Sequence, residues 1–142
     1  MGWTKRDTIK KSFAKVGLAS YVYNLTADEL QSSMEELDAM MAEWSVDGIV
    51  FSPVYPQPTT ISGGDLDDPT NSPDGINAAI FLNLGIRLAD EYGKAVSSGL
   101  SARARNSYNS ALVPYIPSPE PNTHGLPKGA GFKEPIYPFF EE

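Results

Sequence analysis

The prolines of this chain are concentrated near its C-terminus, where seven of the 12 lie within residues 114–138. Proline lacks a backbone N–H donor and disfavours helical backbone in the residue before it. We therefore expect a helical domain at 1–112 and an extended arm at 113–142, which at full extension spans roughly 90 Å. The arm is too rich in aromatic residues for a solvated linker, so we predict that it lies on a partner. The alternative is an unbound terminus with incidental aromatics. The residues expected to make the contact are Pro114, Tyr115, Ile116, Pro117, Phe132, Ile136, Tyr137, Phe139 and Phe140.

Helix signals divide the first 112 residues into four segments. Thr4 with Asp7 and Thr26 with Glu29 form capping boxes, in which two side chains satisfy the free backbone groups at a helix start. A proline opens the third segment and glycines follow the first three, as is typical of helix boundaries. The sequence thus predicts a mainly α fold, a small four-helix bundle in a single domain. The predicted helices are 4–16, 27–46, 73–92 and 97–112.

Two of these helices carry marked apolar patterns. The apolar residues of the second helix, Leu30 to Trp44, are spaced 4, 3, 4 and 3 apart, which is typical of a helix packed against a long partner. The third helix is apolar on most sides, so it must be covered either at the centre of the bundle or by other copies in an oligomer. The residues expected in the bundle core or the subunit interface are Ile9, Phe13, Leu30, Met34, Leu37, Met41, Trp44, Ile80, Leu84, Arg87 and Leu88.

Residues 49–72 form a long insertion between the second and third helices. Their composition predicts a loop or a short β-hairpin, since the three prolines within 49–64 confine any strand to an edge. Long insertions in compact domains often carry functional contacts.

The net charge of −7 is unevenly distributed along the chain. Residues 1–16 hold five cations against one carboxylate, whereas residues 17–86 hold eleven acids and no Lys or Arg. The basic helix either packs beside acidic neighbours in one subunit or joins subunits head to tail. The acidic total argues against sequence-tolerant nucleic-acid binding. No apolar run approaches the ~18–20 residues of a membrane span, so we expect no membrane contact.

The sequence indicates no catalytic site. We expect Glu35, Glu36, Asp38 and Glu43 of the second helix to be solvated, which leaves them poor general acids for glycoside hydrolysis. The sole histidine, His124, lacks a nucleophile partner, and the acids at 65–68 do not follow a calcium-loop pattern. We therefore predict no enzyme activity, no cofactor and no metal.

Three sequence blocks resemble one protein family. Val16-Gly17 followed by "LTADELQSSMEELDAMMAEWSVDGI" (25–49) is the strongest, and "AIFLNLGIRLADEYG" (79–93) and "PYIPS" (114–118) are weaker. They resemble the tail accessory factors of short-tailed bacteriophages, which are head-to-tail adaptors also called packaged-DNA stabilisation proteins.

The resemblance implies a virion structural protein at the head–tail junction, assembled in the cytoplasm of the host bacterium. Such adaptors bind the portal protein through C-terminal arms, form a ring (typically dodecameric) that continues the DNA channel, and retain packaged DNA. Distal tail or nozzle proteins dock below them. Double-stranded DNA passes through the channel without specific binding, and an acidic wall would suit that passage because it repels phosphate. The alternatives are a small peptidoglycan hydrolase acting during infection and an acidic binding module unrelated to virions.

Overall fold

The computed structural model describes residues 2–18, 25–60 and 63–117, and within them it contains four α-helices and no β-strand. The helices are α1 (Lys5–Lys15), α2 (Ala27–Val46), α3 (Asp74–Glu91) and α4 (Ser98–Leu112). A single 3₁₀ turn, Val113–Tyr115, follows α4. The predicted helical bundle is confirmed, and each observed helix end lies within one residue of its predicted position.

The helix starts form as the capping boxes predict. The Thr4 hydroxyl accepts a hydrogen bond from the Asp7 backbone N–H, and the Thr26 hydroxyl does the same for Glu29. At the far end of α2, Gly48 adopts a φ of 100°, a left-handed conformation that costs a glycine little. Local sequence therefore sets where α1 and α2 begin and where α2 ends.

Helix α3 occupies the centre of the bundle. It packs most extensively against α1 and α4, and also contacts α2. Ile80, Leu84 and Leu88 are almost fully buried, and Phe81 stacks on Trp3 with ring centroids 5.7 Å apart. The structure thus favours the first of the two alternatives for this apolar helix, burial inside the protomer.

The expected core residues mostly lie in the core. Those buried are Ile9, Phe13, Met34, Leu37, Met41, Trp44, Ile80, Leu84 and Leu88. Leu30 is partly buried against the same cluster, whereas Arg87 is a half-buried surface residue held by two ion pairs.

The insertion after α2 adopts the loop alternative in its described part. It adds Ile49, Phe51 and Tyr55 to the core, a contribution that the sequence patterns did not reveal. Further along, the carbonyls of Leu66 and Asp68 accept hydrogen bonds from the first backbone N–H groups of α1, at 2.9 and 3.0 Å. The loop therefore satisfies donors that a helix start leaves free.

Candidate functional site

The start of the C-terminal arm is the first candidate contact surface. Tyr115 is partly buried against the bundle core, and the Ile116 N–H donates to the Val113 carbonyl at 3.3 Å. Val113 and Ile116 remain 64% and 56% exposed, and Pro114 and Pro117 are also exposed. The described start of the arm is thus anchored at Tyr115 and carries exposed apolar side chains on either side of that residue.

The remaining predicted arm residues lie outside the described part of the structure. These residues are Phe132, Ile136, Tyr137, Phe139 and Phe140. Their assignment to a partner contact stays a prediction.

Helix α4, which carries the arm, contacts the C-terminal end of α2 through Tyr108. The rings of Trp44 and Tyr108 lie 5.2 Å apart, and the Tyr108 hydroxyl donates to Asp47 Oδ2 at 2.5 Å. That hydrogen bond to a carboxylate is the main cause that raises the pKa of Tyr108 to about 12. In the middle of α4, the Asn83 side chain of α3 donates to the Ala104 carbonyl at 3.1 Å.

A buried ion pair joins α1, α2 and the insertion. Lys5 Nζ, fully buried, donates to Asp38 Oδ1 at 2.7 Å and to the Pro56 carbonyl at 2.9 Å. The Tyr55 hydroxyl donates to the same carboxylate at 2.5 Å. Burial, followed by this hydrogen bond, raises the pKa of Tyr55 well above its ordinary value. The group is fully satisfied, which is the condition under which buried charges are tolerated.

The expectation that the acidic residues of α2 are solvated is therefore wrong for Asp38, which is 6% exposed. The residue lies four positions after Met34 and three before Met41, so it borders the apolar stripe rather than opposing it. This spacing is the sequence feature from which the burial of Asp38 could have been predicted. Its partner Lys5 is 33 positions away and had no marker.

Two other carboxylates of α2 hold Arg87 of α3. Its guanidinium donates to Glu36 Oε1 at 3.2 Å and forms a second, very short ion pair with Glu43. Burial by itself lowers the pKa of Arg87, but the two carboxylates raise it above its ordinary value, so the side chain stays charged. This cluster fixes α2 against α3 on the bundle surface.

The charge asymmetry of the sequence is partly resolved within the protomer. Lys5 pairs with Asp38, and Arg6 pairs with Asp67 of the insertion at 3.0 Å. Lys10 and Lys11 are exposed on α1 and form no ion pair with any described residue. Both alternatives therefore keep some support: basic residues pair internally at the start of α1 and stay available further along it.

The carboxylates considered for hydrolysis do not form a catalytic pair in this geometry. Glu36 and Glu43 are engaged by Arg87, and Glu35 accepts a hydrogen bond from Gln31 at 3.1 Å. Across residues 2–18, 25–60 and 63–117, no His, Cys, Asp and Glu cluster could hold a metal ion. His124 lies outside these ranges. No helix among them is long and apolar enough to cross a membrane.

Fold and surfaces together define a small helical protein with ion pairs between its helices and exposed apolar side chains at the start of its arm. The profile of the P22 tail accessory factor family matches residues 1–136 of the 142, and the chain belongs to that family. It is accordingly a phage tail protein of the virion that associates with other virion proteins, and the family is a structural one.

Proposed function

We propose that this protein is a head-to-tail adaptor that binds the portal protein and assembles as a ring continuing the DNA channel. The ring would sit at the head–tail junction, retain the packaged genome and receive the next tail proteins on its far side. The observation that carries the proposal is the family match, which spans the whole bundle and most of the arm.

The exit of the arm supports a portal contact. Among the described residues, Tyr115 is the last one that packs against the core. Val113 and Ile116, both largely exposed, lie on either side of this anchored residue. Apolar groups that stay exposed beside a fixed chain exit are what a docking partner would cover.

The charge of the chain supports passage of DNA rather than its capture. At −7 net, the protein lacks the basic footprint of sequence-tolerant DNA binding. A channel wall in which carboxylates outnumber cations would repel phosphate and keep the genome from adhering during ejection. Arg103 and Arg105 lining the channel instead would contradict this part of the proposal.

Truncation tests the role of the arm. The cut belongs after Pro117 rather than after Leu112, because Tyr115 packs on the core and its removal would disturb the bundle. We expect the 1–117 chain to melt at the full-length temperature but to lose binding to purified portal rings, measured by co-sedimentation.

Substitutions within the arm provide the matched comparison. Phe139→Ala with Phe140→Ala should weaken portal binding, whereas Ala78→Ser at an exposed position of α3 should leave it unchanged. Undiminished binding by the 1–117 chain would refute the arm assignment. Failure of the full-length chain to bind any portal ring would refute the adaptor function itself.

A further inference from the structure

An open groove of about 460 Å³ runs along the outer side of α2. Ala39 and Ala42 form its floor, and the loop at Pro58–Thr60 forms the opposite wall. Two hydrogen bonds anchor the chain just before this loop. The Gln57 side-chain amide donates to the Asp38 backbone carbonyl at 3.3 Å, and Lys5 Nζ donates to the Pro56 carbonyl. Lys5 and Asp38 thus fix the position of the loop that forms the wall of the groove.

No described residue covers the face of α2 that opens into this groove. At 100° per residue, Asp28, Glu35, Ala39, Ala42 and Val46 fall on one side of the helix, opposite the buried Leu37 and Trp44. Ala39 and Ala42 are exposed, and Val46 is 88% exposed. Small side chains on such a face let a second helix approach closely.

The same face carries unneutralised negative charge. Helix α2 has six carboxylates and no cation. Lys5 pairs with Asp38, and Arg87 pairs with both Glu36 and Glu43, which leaves one negative charge of that cluster unbalanced. Glu35 at the groove and Asp28 further along form no ion pair with any residue that the structure describes.

Helix α4 is the complement of this face. Its sequence, SGLSARARNSYNSAL, contains two arginines and no acid. On a helical wheel, the outer side of α4 centres on Gly99, Ala102 and Asn106. Arg103 and Arg105 lie at the two edges of this side. The buried Ala104 and Ala111 lie on the opposite side. Both arginines are exposed, and neither forms an ion pair within the described ranges.

We infer that the groove face of α2 (Asp28, Glu35, Ala39, Ala42 and Val46) binds the outer face of α4 of a second copy of this chain. Each subunit would give its α2 face to one neighbour and its α4 face to the other. Contacts between two different faces of this kind generate rings when the rotation closes. The inference rests on the proposed ring and names the surfaces that build it. It also places Arg103 and Arg105 between subunits rather than on the channel wall.

Cross-linking tests this pairing cleanly because the chain contains no cysteine. The test chain carries Ala42→Cys with Ala102→Cys, and a second version carries Ala39→Cys with Ala102→Cys. The matched control pairs Ala42→Cys with Ala14→Cys, which introduces an equally exposed alanine site on α1 beside Lys10 and Lys11. A short bis-maleimide replaces direct disulfide formation, so that the strict geometry of a disulfide is not required.

We expect a ladder of dimers, trimers and higher species from a test chain and at least tenfold less product from the control, with the chains bound to portal rings. A ladder from the control alone would overturn the assignment of α4 in favour of α1. Dimers without higher species would overturn the head-to-tail arrangement, since a symmetric pair stops at two.

Portal loading of the unmodified chain separates failure of this inference from failure of the adaptor function. Normal loading with no cross-link in either test chain overturns the α2–α4 contact and leaves the adaptor function standing. A cross-linked ladder in solution without any portal loading would support the α2–α4 contact and refute the adaptor function.

Charge reversal gives an independent readout. Arg103→Glu with Arg105→Glu should lower the number of copies loaded on a portal ring, and Glu35→Arg in the same chain should restore part of the loss. Lys10→Glu with Lys11→Glu is the control and should load normally. Unchanged loading by the Arg103→Glu, Arg105→Glu chain would overturn the inference.

Discussion

At the scale of single residues, the buried ion pair of Lys5 and Asp38 connects distant parts of the chain. It joins the first residue of α1 to the middle of α2, and it holds the insertion through Tyr55 and Pro56. Isolated buried charges are costly. The charges of Lys5 and Asp38 are compensated by three short hydrogen bonds, one of which joins the two side chains. The effect of the ion pair is to specify one arrangement of three chain segments.

Removing one partner of this pair should destabilise the bundle strongly. Asp38→Leu leaves the Lys5 ammonium buried without its counter-charge, and we expect the free energy of unfolding to fall by about 3–5 kcal/mol. The double variant Lys5→Met, Asp38→Leu should recover most of that loss. Urea denaturation measures both, with the exposed Asp28→Asn as control. A loss below about 1 kcal/mol in Asp38→Leu would contradict the role given to the pair.

The second residue-scale prediction concerns alkaline pH. The hydrogen bond to Asp47 raises the pKa of Tyr108 from 10.0 to about 12 in the folded protein. Because the folded pKa lies above the unfolded one, the associated stability is fully present below pH 10 and is lost as the pH rises towards 12. NMR titration of the Tyr108 ring should show ionisation near pH 12. Asp47→Ala should return it towards 10, and Asp28→Ala should not. Ionisation near 10 in the unmodified chain would refute the assignment.

At the scale of elements, the crossing of α1 and α3 depends on a close approach at Gly85. A Cβ built there would lie 3.0 Å from the Ser12 carbonyl oxygen and 3.2 Å from a Val16 methyl group. The backbone of α1 occupies the space that a side chain would need. The seat of α1 on the central helix is therefore set by the lack of a side chain at this position.

Gly85→Ala should accordingly weaken the contact between α1 and α3. We expect it to lower the free energy of unfolding by about 1–3 kcal/mol, the usual cost of overpacking. Gly75→Ala is the matched control, since it lies in the first turn of the same helix with no neighbouring atom within 4 Å. The control should be neutral or stabilise the helix by up to about 1 kcal/mol. Thermal melts that rank the two variants in the opposite order would contradict this packing.

Helix positions could be predicted because their signals are local. Thr4 and Asp7 are three residues apart, as are Thr26 and Glu29. In each pair, the side chain of one residue accepts a hydrogen bond from the backbone N–H of the other. The burial of Asp38 depends instead on Lys5, 33 residues away, and the burial of Ile49, Phe51 and Tyr55 depends on where the insertion crosses the bundle. Contacts of this range leave no periodic pattern in the sequence.

At the scale of the whole molecule, the bundle has its own core, and its described residues leave the outer faces of two helices exposed. The apolar helix α3 is enclosed by its own protomer, so its composition does not require an oligomer. The described residues leave exposed the outer faces of α2 and α4 and the start of the arm. In the proposed ring, these are the surfaces that would contact neighbouring copies and the portal.

The candidate site could be predicted only in outline. The composition of residues 113–117 correctly marks the end of α4, and Val113 and Ile116 are exposed there. The helical pattern of α4 places Arg103 and Arg105 off its packed face, and both are exposed. The anchoring of Tyr115 depends on how the end of α4 meets the bundle, which the sequence does not specify on its own. The portal contact remains a proposal.

Counting the copies that load onto a portal ring tests the central claim most directly. Native mass spectrometry of the portal with excess full-length chain should show a fixed number of added copies that matches the symmetry of the ring. The 1–117 chain should add none under the same conditions. A variable number of full-length copies, or full loading by the 1–117 chain, would contradict the claim that this protein is an adaptor seated by its arm.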